Sequence, residues 1–258
     1  MKKAIFPTII IAICAAADFQ TVHAEENGKL TLETGMNYNT GKYGGTKTTS
    51  ILYVPFTGKY RGKSWTLKLT VPYLRVSGPS NVINGVGSTG LVTTTITTRS
   101  GLGDVIVAAT RNVYYSGSSG FLVNLTGKAK FGTADSTQGL GTGKNDYAFQ
   151  SEVYRLTDGF TSFGTLGYKV YGQPSGYKLY NAFYGSLGGS YRINHDTHGG
   201  MMFSLAEKST AKGSSRNEAI LFASQKFSAN MKAQGYVLKG LTRSVPDWGL
   251  GATVIFLM

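Results

Sequence analysis

Cysteine, acidic residues and long hydrophobic runs are all scarce in this sequence. It has one cysteine, Cys14, among 258 residues, so no disulfide can form within the chain. Beyond residue 24 no stretch comes near the roughly 18 consecutive apolar residues of a transmembrane helix, which excludes such a helix there. Only 15% of the residues are charged, whereas about 25% is usual in soluble domains. These absences argue against a disulfide-stapled scaffold, a helical membrane protein and an ordinary soluble domain.

The first 24 residues have the pattern of a secretory signal peptide. Two lysines precede the apolar residues 4–17, and the small residue Ala24 ends the segment. The alternative is a membrane anchor, but this apolar run is too short, since about 20 residues are needed to span a bilayer. We therefore predict cleavage after Ala24 and an exported chain of residues 25–258, from which Cys14 has been lost.

Alternation of apolar and polar residues is the dominant pattern in the exported part. Trp65, Leu67, Leu69 and Val71 alternate with polar or small residues, and the same period of two recurs along the chain. This period is typical of a strand with one apolar and one polar face. The predicted strands are residues 29–38, 50–60, 64–76, 102–115, 120–131, 146–156, 160–171, 179–193, 199–208, 217–228, 231–241 and 248–258.

The connections between these twelve strands alternate in length. Long connections, such as residues 77–101 and 132–145, follow odd-numbered strands, and short ones, such as residues 157–159 and 194–196, follow even-numbered strands. An outer-membrane barrel has this arrangement, with tight periplasmic turns and larger external loops. The sequence therefore predicts an all-β fold, a closed antiparallel transmembrane β-barrel of about 12 strands formed by residues 25–258 in the bacterial outer membrane. A soluble secreted β protein is the weaker alternative.

The last strand, "WGLGATVIFLM", is apolar to its final residue. Its alternation places Leu250, Val254, Phe256 and Met258 toward lipid. We expect this strand to pair with the first strand, because an open sheet edge is not tolerated in hydrocarbon. The pattern of Val254, Phe256 and Met258 resembles the C-terminal signature of bacterial outer-membrane barrels. That resemblance implies recognition by the barrel-assembly machinery as a partner.

A more specific resemblance lies in the middle of the chain. The segments "SGLGDVIVAATRNVY" (100–114) and "GKAKFGTADSTQGLGTGKNDY" (127–147) resemble the outer-membrane family named for the MetA-pathway of phenol degradation. The family pattern is a Gly-Leu-Gly-Asp strand start, a Lys-rich strand, a turn and a Leu-Gly-Thr-Gly loop. The resemblance implies a transporter-like outer-membrane channel for small solutes, aromatic ones among them, and leaves the solute itself open.

Signals for catalysis and cofactors are weak. Gly-x-Gly-x-x-Gly at residues 85–90 is followed by the β-prone residues 93–98 and not by a helix start, which favours a loop over a dinucleotide site. His195, Asp196 and His198 could bind a metal, but a polar turn is the better interpretation because metal sites need three or four ligands. Gly-x-Ser-x-Gly is absent. We therefore predict no enzymatic activity and no cofactor.

The basic excess is the remaining functional signal, with 26 Lys and Arg against 13 Asp and Glu. If the apolar faces meet lipid, four lysines point into the lumen, opposed chiefly by one inward carboxylate. Inward lysines favour anions in a pore. The predicted pore-lining residues are Lys68, Lys128, Lys130, Lys169 and Glu152.

Basic residues outside the predicted strands have a different role. Many lysines fall in predicted loops, where they would contact lipopolysaccharide phosphates: Lys42, Lys47, Lys144, Lys178, Lys208 and Lys212. Export and the lack of a basic helix argue against a nucleic-acid partner.

The state of the lumen is open at this point. Small residues predicted to face inward favour a cavity, namely Gly127, Gly167, Gly185 and Gly189. A structural or interaction barrel with a filled lumen is the alternative to a channel, because twelve strands enclose an interior that side chains could fill. The oligomeric state is also open.

Overall fold

The computed structural model describes residues 28–79, 82–83, 87–88, 95–175, 178–209 and 213–258. The predicted signal peptide, most of the Gly-rich motif at residues 85–90 and Lys212 lie outside these residues. The strands are β1 (Lys29–Gly41), β2 (Thr49–Arg61), β3 (Trp65–Pro79), β4 (Val82–Ile83), β5 (Gly87–Ser88), β6 (Ile96–Leu102), β7 (Val105–Ser116), β8 (Phe121–Phe131), β9 (Asp146–Leu156), β10 (Phe160–Val170), β11 (Ala182–Arg192), β12 (Thr197–Ala206), β13 (Arg216–Ser228), β14 (Met231–Gly240) and β15 (Trp248–Leu257).

No helix long and apolar enough to cross a bilayer is found in the described ranges.

The strands form a closed antiparallel barrel. Neighbouring strands pair in sequence order from β7 to β15, β15 pairs with β1, and β1 continues through β2 to β3. β3 completes the circle by pairing with both β6 and β7. β6 and β7 are two halves of one wall strand, interrupted at Gly103 and Asp104. The barrel therefore has twelve wall strands, and the predicted fold class is confirmed.

The strand boundaries agree closely with those predicted, except in the segment before Gly103. The predicted loop 77–101 contains β6, which pairs with the upper part of β3 from Tyr73↔Leu102 to Pro79↔Ile96. The barrel wall at β3 and β6 therefore extends further toward the long-loop end than the alternation alone indicated. A two-residue hairpin, β4 with β5, lies in the same connection.

The barrel is apolar outside. Exposed large side chains occupy alternate positions of the wall strands, for example Leu67 and Leu69 in β3, Leu187 in β11 and Leu221 in β13. In β15 the side chains of Leu250 and Phe256 are exposed, whereas Gly251, Thr253 and Ile255 are buried. This is the orientation that the alternation predicts. An apolar belt on the outside of a closed barrel is the surface that lipid covers.

Candidate functional site: the barrel lumen

A ladder of lysines crosses the luminal face of six neighbouring strands. Residues that are directly opposite each other on adjacent strands share a face of the sheet. Following these partners from β2 through β10 connects lysines that are far apart in sequence. The lysine ladder consists of Lys59, Lys68, Ala108, Lys128, Ala148 and Lys169.

The lysine ladder runs obliquely from the short-turn end of the barrel to its long-loop end. Lys59 lies two residues from the short-turn end of β2, and Lys169 lies one residue from the long-loop end of β10. Alanine occupies the ladder position on β7 and on β9, so that lysines and alanines alternate from β3 to β10. The basic charge is therefore spread over much of the length of the lumen.

Glu33 binds the lower end of the ladder. Lys59 and Lys68 are direct cross-strand partners, an arrangement that repels when both are charged. One carboxylate binds both, with Lys59 Nζ at 3.1 Å from Glu33 Oε1 and Lys68 Nζ at 3.2 Å from Oε2. The Lys68 side chain keeps 16% exposure, so this group lies at the edge of accessible space.

A second group of ion pairs lies near the long-loop end. Lys130 Nζ is 2.6 Å from Asp104 Oδ2 and 3.4 Å from Asp146 Oδ2, and Lys169 Nζ is 3.2 Å from the same Asp146 oxygen. The Lys169 ammonium also lies 4.1 Å from the centre of the Tyr171 ring. The two lysines are thus matched by two carboxylates.

Lys128 has a different environment. Its ammonium donates to Gln150 Oε1, an amide oxygen that also accepts from the Tyr184 hydroxyl at 2.8 Å. The Gln150 amide nitrogen donates to Glu152 Oε1. Within the described ranges, Lys128 has no carboxylate at ion-pair distance. Its residue is only partly buried, and no direct contact with a carboxylate offsets its charge.

An apolar ladder lines the other side of the lumen. Its members follow one cross-strand row from β8 to β14, with a glycine on β11. The other members belong to one buried cluster, in which Met202 and Ile220 are each 1% exposed. The apolar ladder consists of Leu122, Tyr154, Phe163, Gly188, Met202, Ile220 and Leu238.

Luminal aromatic rings lie over glycines of the adjacent strand. A Cβ atom on Gly188 would overlap the Phe163 ring, and one on Gly200 would overlap the ring of Phe222. The same holds for two further pairs, Gly251 with Tyr236 and Gly167 with Tyr184. Each ring and its glycine are direct cross-strand partners. The rings therefore lie close to the backbone of the adjacent strand.

The loop of residues 132–145 folds into the barrel mouth. Leu140 is 2% exposed and packs with luminal residues of β2 and β3, among them Ile51 and Leu74. A Cβ on Gly101 would lie 2.9 Å from Leu140 Cδ1, so the glycine leaves room for the leucine. This loop narrows the lumen at its long-loop end.

Asp104 anchors this loop. Its Oδ1 accepts from the backbone N–H of Ala134 at 3.0 Å, and its Oδ2 accepts from Lys130. Thr133 joins the two halves of the wall strand, because its hydroxyl accepts from Val105 N–H and donates to the Gly103 carbonyl. A Cβ on Gly141 would lie 2.9 Å from Asp104 Oδ1, so the Gly-Leu-Gly-Asp segment (101–104) and the Leu-Gly-Thr-Gly segment (140–143) contact each other directly.

At the tip of the loop, hydrogen bonds from the Thr137 and Gln138 side chains lower the pKa of Asp135. The Asp135 carboxylate therefore stays ionised and keeps the turn of residues 135–138 closed at neutral pH.

Four luminal carboxylates change the predicted charge balance. The expectation that Glu152 is the chief inward carboxylate is wrong, because Glu33, Asp104, Asp146 and Glu218 also lie on the inner side. Glu33, Asp146 and Glu218 each lie on the inward-facing alternate positions of a strand, so the apolar–polar alternation was sufficient to predict them. Asp104 lies at the break between β6 and β7, where the period fails.

Lys59 is a further luminal residue that the sequence analysis missed. It occupies an alternate position of β2, in line with the buried Thr57. The period of two therefore carried the signal for this lysine as well.

Three of the four glycines predicted to face inward face outward. Gly127 is exposed, and Gly185 and Gly189 are paired with the exposed Leu166 and Met201. The fourth glycine, at position 167, is luminal and lies under a tyrosine ring. Those strands have apolar outer faces that include small residues, and a small side chain does not by itself show which face it is on.

The histidine turn has no metal-site geometry. His195 Nδ1 is 3.0 Å from Asp196 Oδ1, and His195 is highly exposed. Across the described ranges there is no group of three His, Cys, Asp or Glu side chains that could hold a metal ion.

The closed barrel, its apolar belt and its polar interior define a bacterial outer-membrane β-barrel. The chain belongs to the family described as "Putative MetA-pathway of phenol degradation", which it matches over residues 21–257. No curated protein sequence matches it.

Solved outer-membrane proteins share the fold. An outer membrane channel from Pseudomonas putida F1 superposes with a TM-score of 0.72 at 14% identity, covering 91% of this chain and 97% of that one. The NanC porin gives a TM-score of 0.55 at 12% identity, covering 87% and 98%. The KdgM porin, solved in complex with disordered oligogalacturonate, gives 0.51 at 11% identity, covering 88% and 98%. At these identities the similarity shows the fold, which is that of non-enzymatic outer-membrane channels.

Proposed function

We propose that the protein is an outer-membrane channel that passes small solutes and prefers anions. The lysine ladder carries this proposal, because lysines of four strands follow one luminal row along the barrel. Rings of inward cationic side chains are the arrangement of anion-selective pores. The proposal also agrees with the channel fold of the structural relatives.

The luminal carboxylates make the preference modest and concentrate it at one residue. Lys130 and Lys169 are balanced by two aspartates, and Glu33 offsets one of the two lysines that it binds. Lys128 donates to an amide oxygen instead, so its charge is not cancelled by direct contact. We infer that Lys128 sets most of the anion preference, and that Lys68 contributes part of it.

Replacing Lys128 with Glu is expected to shift the reversal potential in a KCl gradient toward cation selectivity. The change reverses the charge of a luminal lysine that has no ion pair within the described residues, beside the existing carboxylate of Glu152. Luminal charges at close quarters are only partly screened at physiological salt, where the Debye length is about 8 Å. Planar-bilayer recording of the purified, refolded protein measures the shift.

Lys208→Glu is the matched control, because Lys208 is exposed beyond the end of β12. It should move the reversal potential much less. Equal shifts in the two variants would show that Lys128 is not the selectivity residue.

A filled structural barrel is the second candidate, favoured by the dense packing of the apolar ladder and by Leu140 in the mouth. It predicts no conductance in bilayers and liposomes that exclude small sugars and anions.

Contacts outside the lumen belong to the same proposal. Lysines at the long-loop end are exposed and would contact phosphate groups of lipopolysaccharide, namely Lys42, Lys47, Lys144, Lys178 and Lys208. The side chains of Val254, Phe256 and Met258 would be recognised by the barrel-assembly machinery during insertion.

A further inference from the structure

We propose that Lys128, Gln150 and Tyr184 form a luminal subsite for a small aromatic carboxylate, an anion of the benzoate type. The inference rests on the proposed channel and names the class of solute that its lumen would hold. The three side chains come from β8, β9 and β11, so the subsite exists only when strands β8 to β11 are paired.

The cationic part of the subsite is the Lys128 ammonium. Its cross-strand neighbours are Ala108 on one side and Ala148 on the other. These small side chains bring no charge and no polar group to the ammonium, whereas the other described lysines of the ladder contact carboxylates. An ammonium without a carboxylate contact can give a charge-assisted hydrogen bond to a carboxylate oxygen of a solute.

The aromatic part is the Tyr184 ring, which Gln150 holds beside the ammonium. Lys128 and Tyr184 donate to the same oxygen, Gln150 Oε1, so the cation and the phenol hydroxyl meet at one atom. The ring lies over Gly167, its cross-strand partner, where a Cβ atom would overlap it. Backbone therefore covers one face of the ring, and Tyr184 is only partly buried. In the proposed subsite, the solute ring stacks in an offset arrangement on the other face.

Glu152 limits how tightly an anion can bind. Its Oε1 accepts from Gln150 Nε2 and from Thr126 Oγ1, the latter at 3.5 Å, and it lies near the proposed carboxylate position. Its negative charge weakens the site for every anion, with or without a ring. Weak binding suits a channel, since a solute must leave as readily as it enters.

The test uses the whole protein in planar bilayers carrying a KCl current. Sodium benzoate, sodium acetate and sodium cyclohexanecarboxylate are added in turn, and the concentration that halves the chloride current is measured. Benzoate should act at a concentration roughly fivefold lower than cyclohexanecarboxylate, in line with one aromatic stacking contact. Acetate should be weaker than both.

Four variants separate the two parts of the subsite. Lys128→Met should raise the half-blocking concentration of all three anions. Tyr184→Leu should raise that of benzoate roughly fivefold and leave acetate unchanged, because only the ring contact is lost. Tyr184→Phe keeps the ring and should remain close to wild type for benzoate. Tyr147→Leu, which removes a lipid-facing aromatic side chain of β9, is the matched control and should change nothing.

The outcomes distinguish this inference from the proposed function. Heat-modifiable electrophoretic mobility first shows that each variant forms a barrel. If wild-type protein conducts anions but benzoate blocks no better than cyclohexanecarboxylate, or Tyr184→Leu behaves like Tyr147→Leu, the subsite is wrong and the channel stands. If wild-type protein conducts nothing in KCl, the channel fails and the subsite fails with it.

Discussion

Deletion of residues 256–258 is expected to abolish barrel assembly, and not merely to lower the stability of a formed barrel. Phe256 and Leu257 are the cross-strand partners of Leu32 and Thr31, and the Met258 N–H donates to the carbonyl of residue 30 at 2.9 Å. Without them the β1 edge would lose partners at the seam that closes the barrel. Each unsatisfied backbone group in hydrocarbon costs several kcal/mol, so an open seam is not tolerated.

The measurements are heat-modifiable mobility and protease-resistant insertion in the outer membrane. Phe256→Ala with Met258→Ala is the companion variant, because it keeps the backbone pairing and removes only the side chains proposed as an assembly signal. Slow assembly of this variant would support the signal. Normal mobility and insertion of the deletion variant would contradict the closure argument.

Replacing Asp104 with Ala is expected to release the loop of residues 132–145 and to raise single-channel conductance. The change removes the acceptor of the Ala134 N–H and one of the two carboxylates that bind Lys130. Removing one partner of a buried ion pair typically costs about 3–5 kcal/mol. Asp104 is close to buried, at 12% side-chain exposure, so the lower end of that range applies, and the loop contacts should yield before the barrel wall.

Two measurements report whether the loop has been released. Conductance should increase, and trypsin should cleave after Lys144, which is exposed at the end of the loop, faster than in wild type. Asp158→Ala is the matched control, since it also breaks an ion pair, with Arg192, but a fully exposed one in a short turn. Exposed surface pairs contribute little to stability, and this variant should behave like wild type. Unchanged conductance and cleavage in Asp104→Ala would show that Asp104 does not hold the loop.

The sequence was enough to predict the wall of the barrel. Alternation in β3, β8 and β15 identifies both strands and faces, because lipid and lumen are different solvents on the two sides of each strand. The long and short connections then indicated closure and strand number. The break at Gly103 and the extra strand β6 were missed, since a wall strand that extends into a predicted loop keeps few apolar residues on its outer face.

The lumen was predictable only in part. Alternation placed Lys68, Lys128, Lys130 and Lys169 on one face of their strands, but it did not reveal the lysine ladder or the partners of each lysine. The ladder and these partners depend on the register between strands, which the sequence of a single strand does not determine. The subsite at Lys128 depends on three registers at once, β8 with β9, β9 with β10 and β10 with β11.

The glycine and aromatic pairs of the lumen have a consequence for the width of the pore. A slip of one residue between strands would exchange the lipid-facing and the luminal side chains, and it is therefore excluded. A slip of two residues keeps every side chain on its own face. Such a slip would change the shear of the barrel, and with it the strand tilt and the diameter. Two pairs are each satisfied in one register only, because two residues away in either direction the ring would meet a side chain: Phe163 opposite Gly188 and Phe222 opposite Gly200. These two pairs therefore help to fix the diameter of the barrel, and a bulky residue at Gly188 or Gly200 is expected to change that diameter without changing the luminal charge.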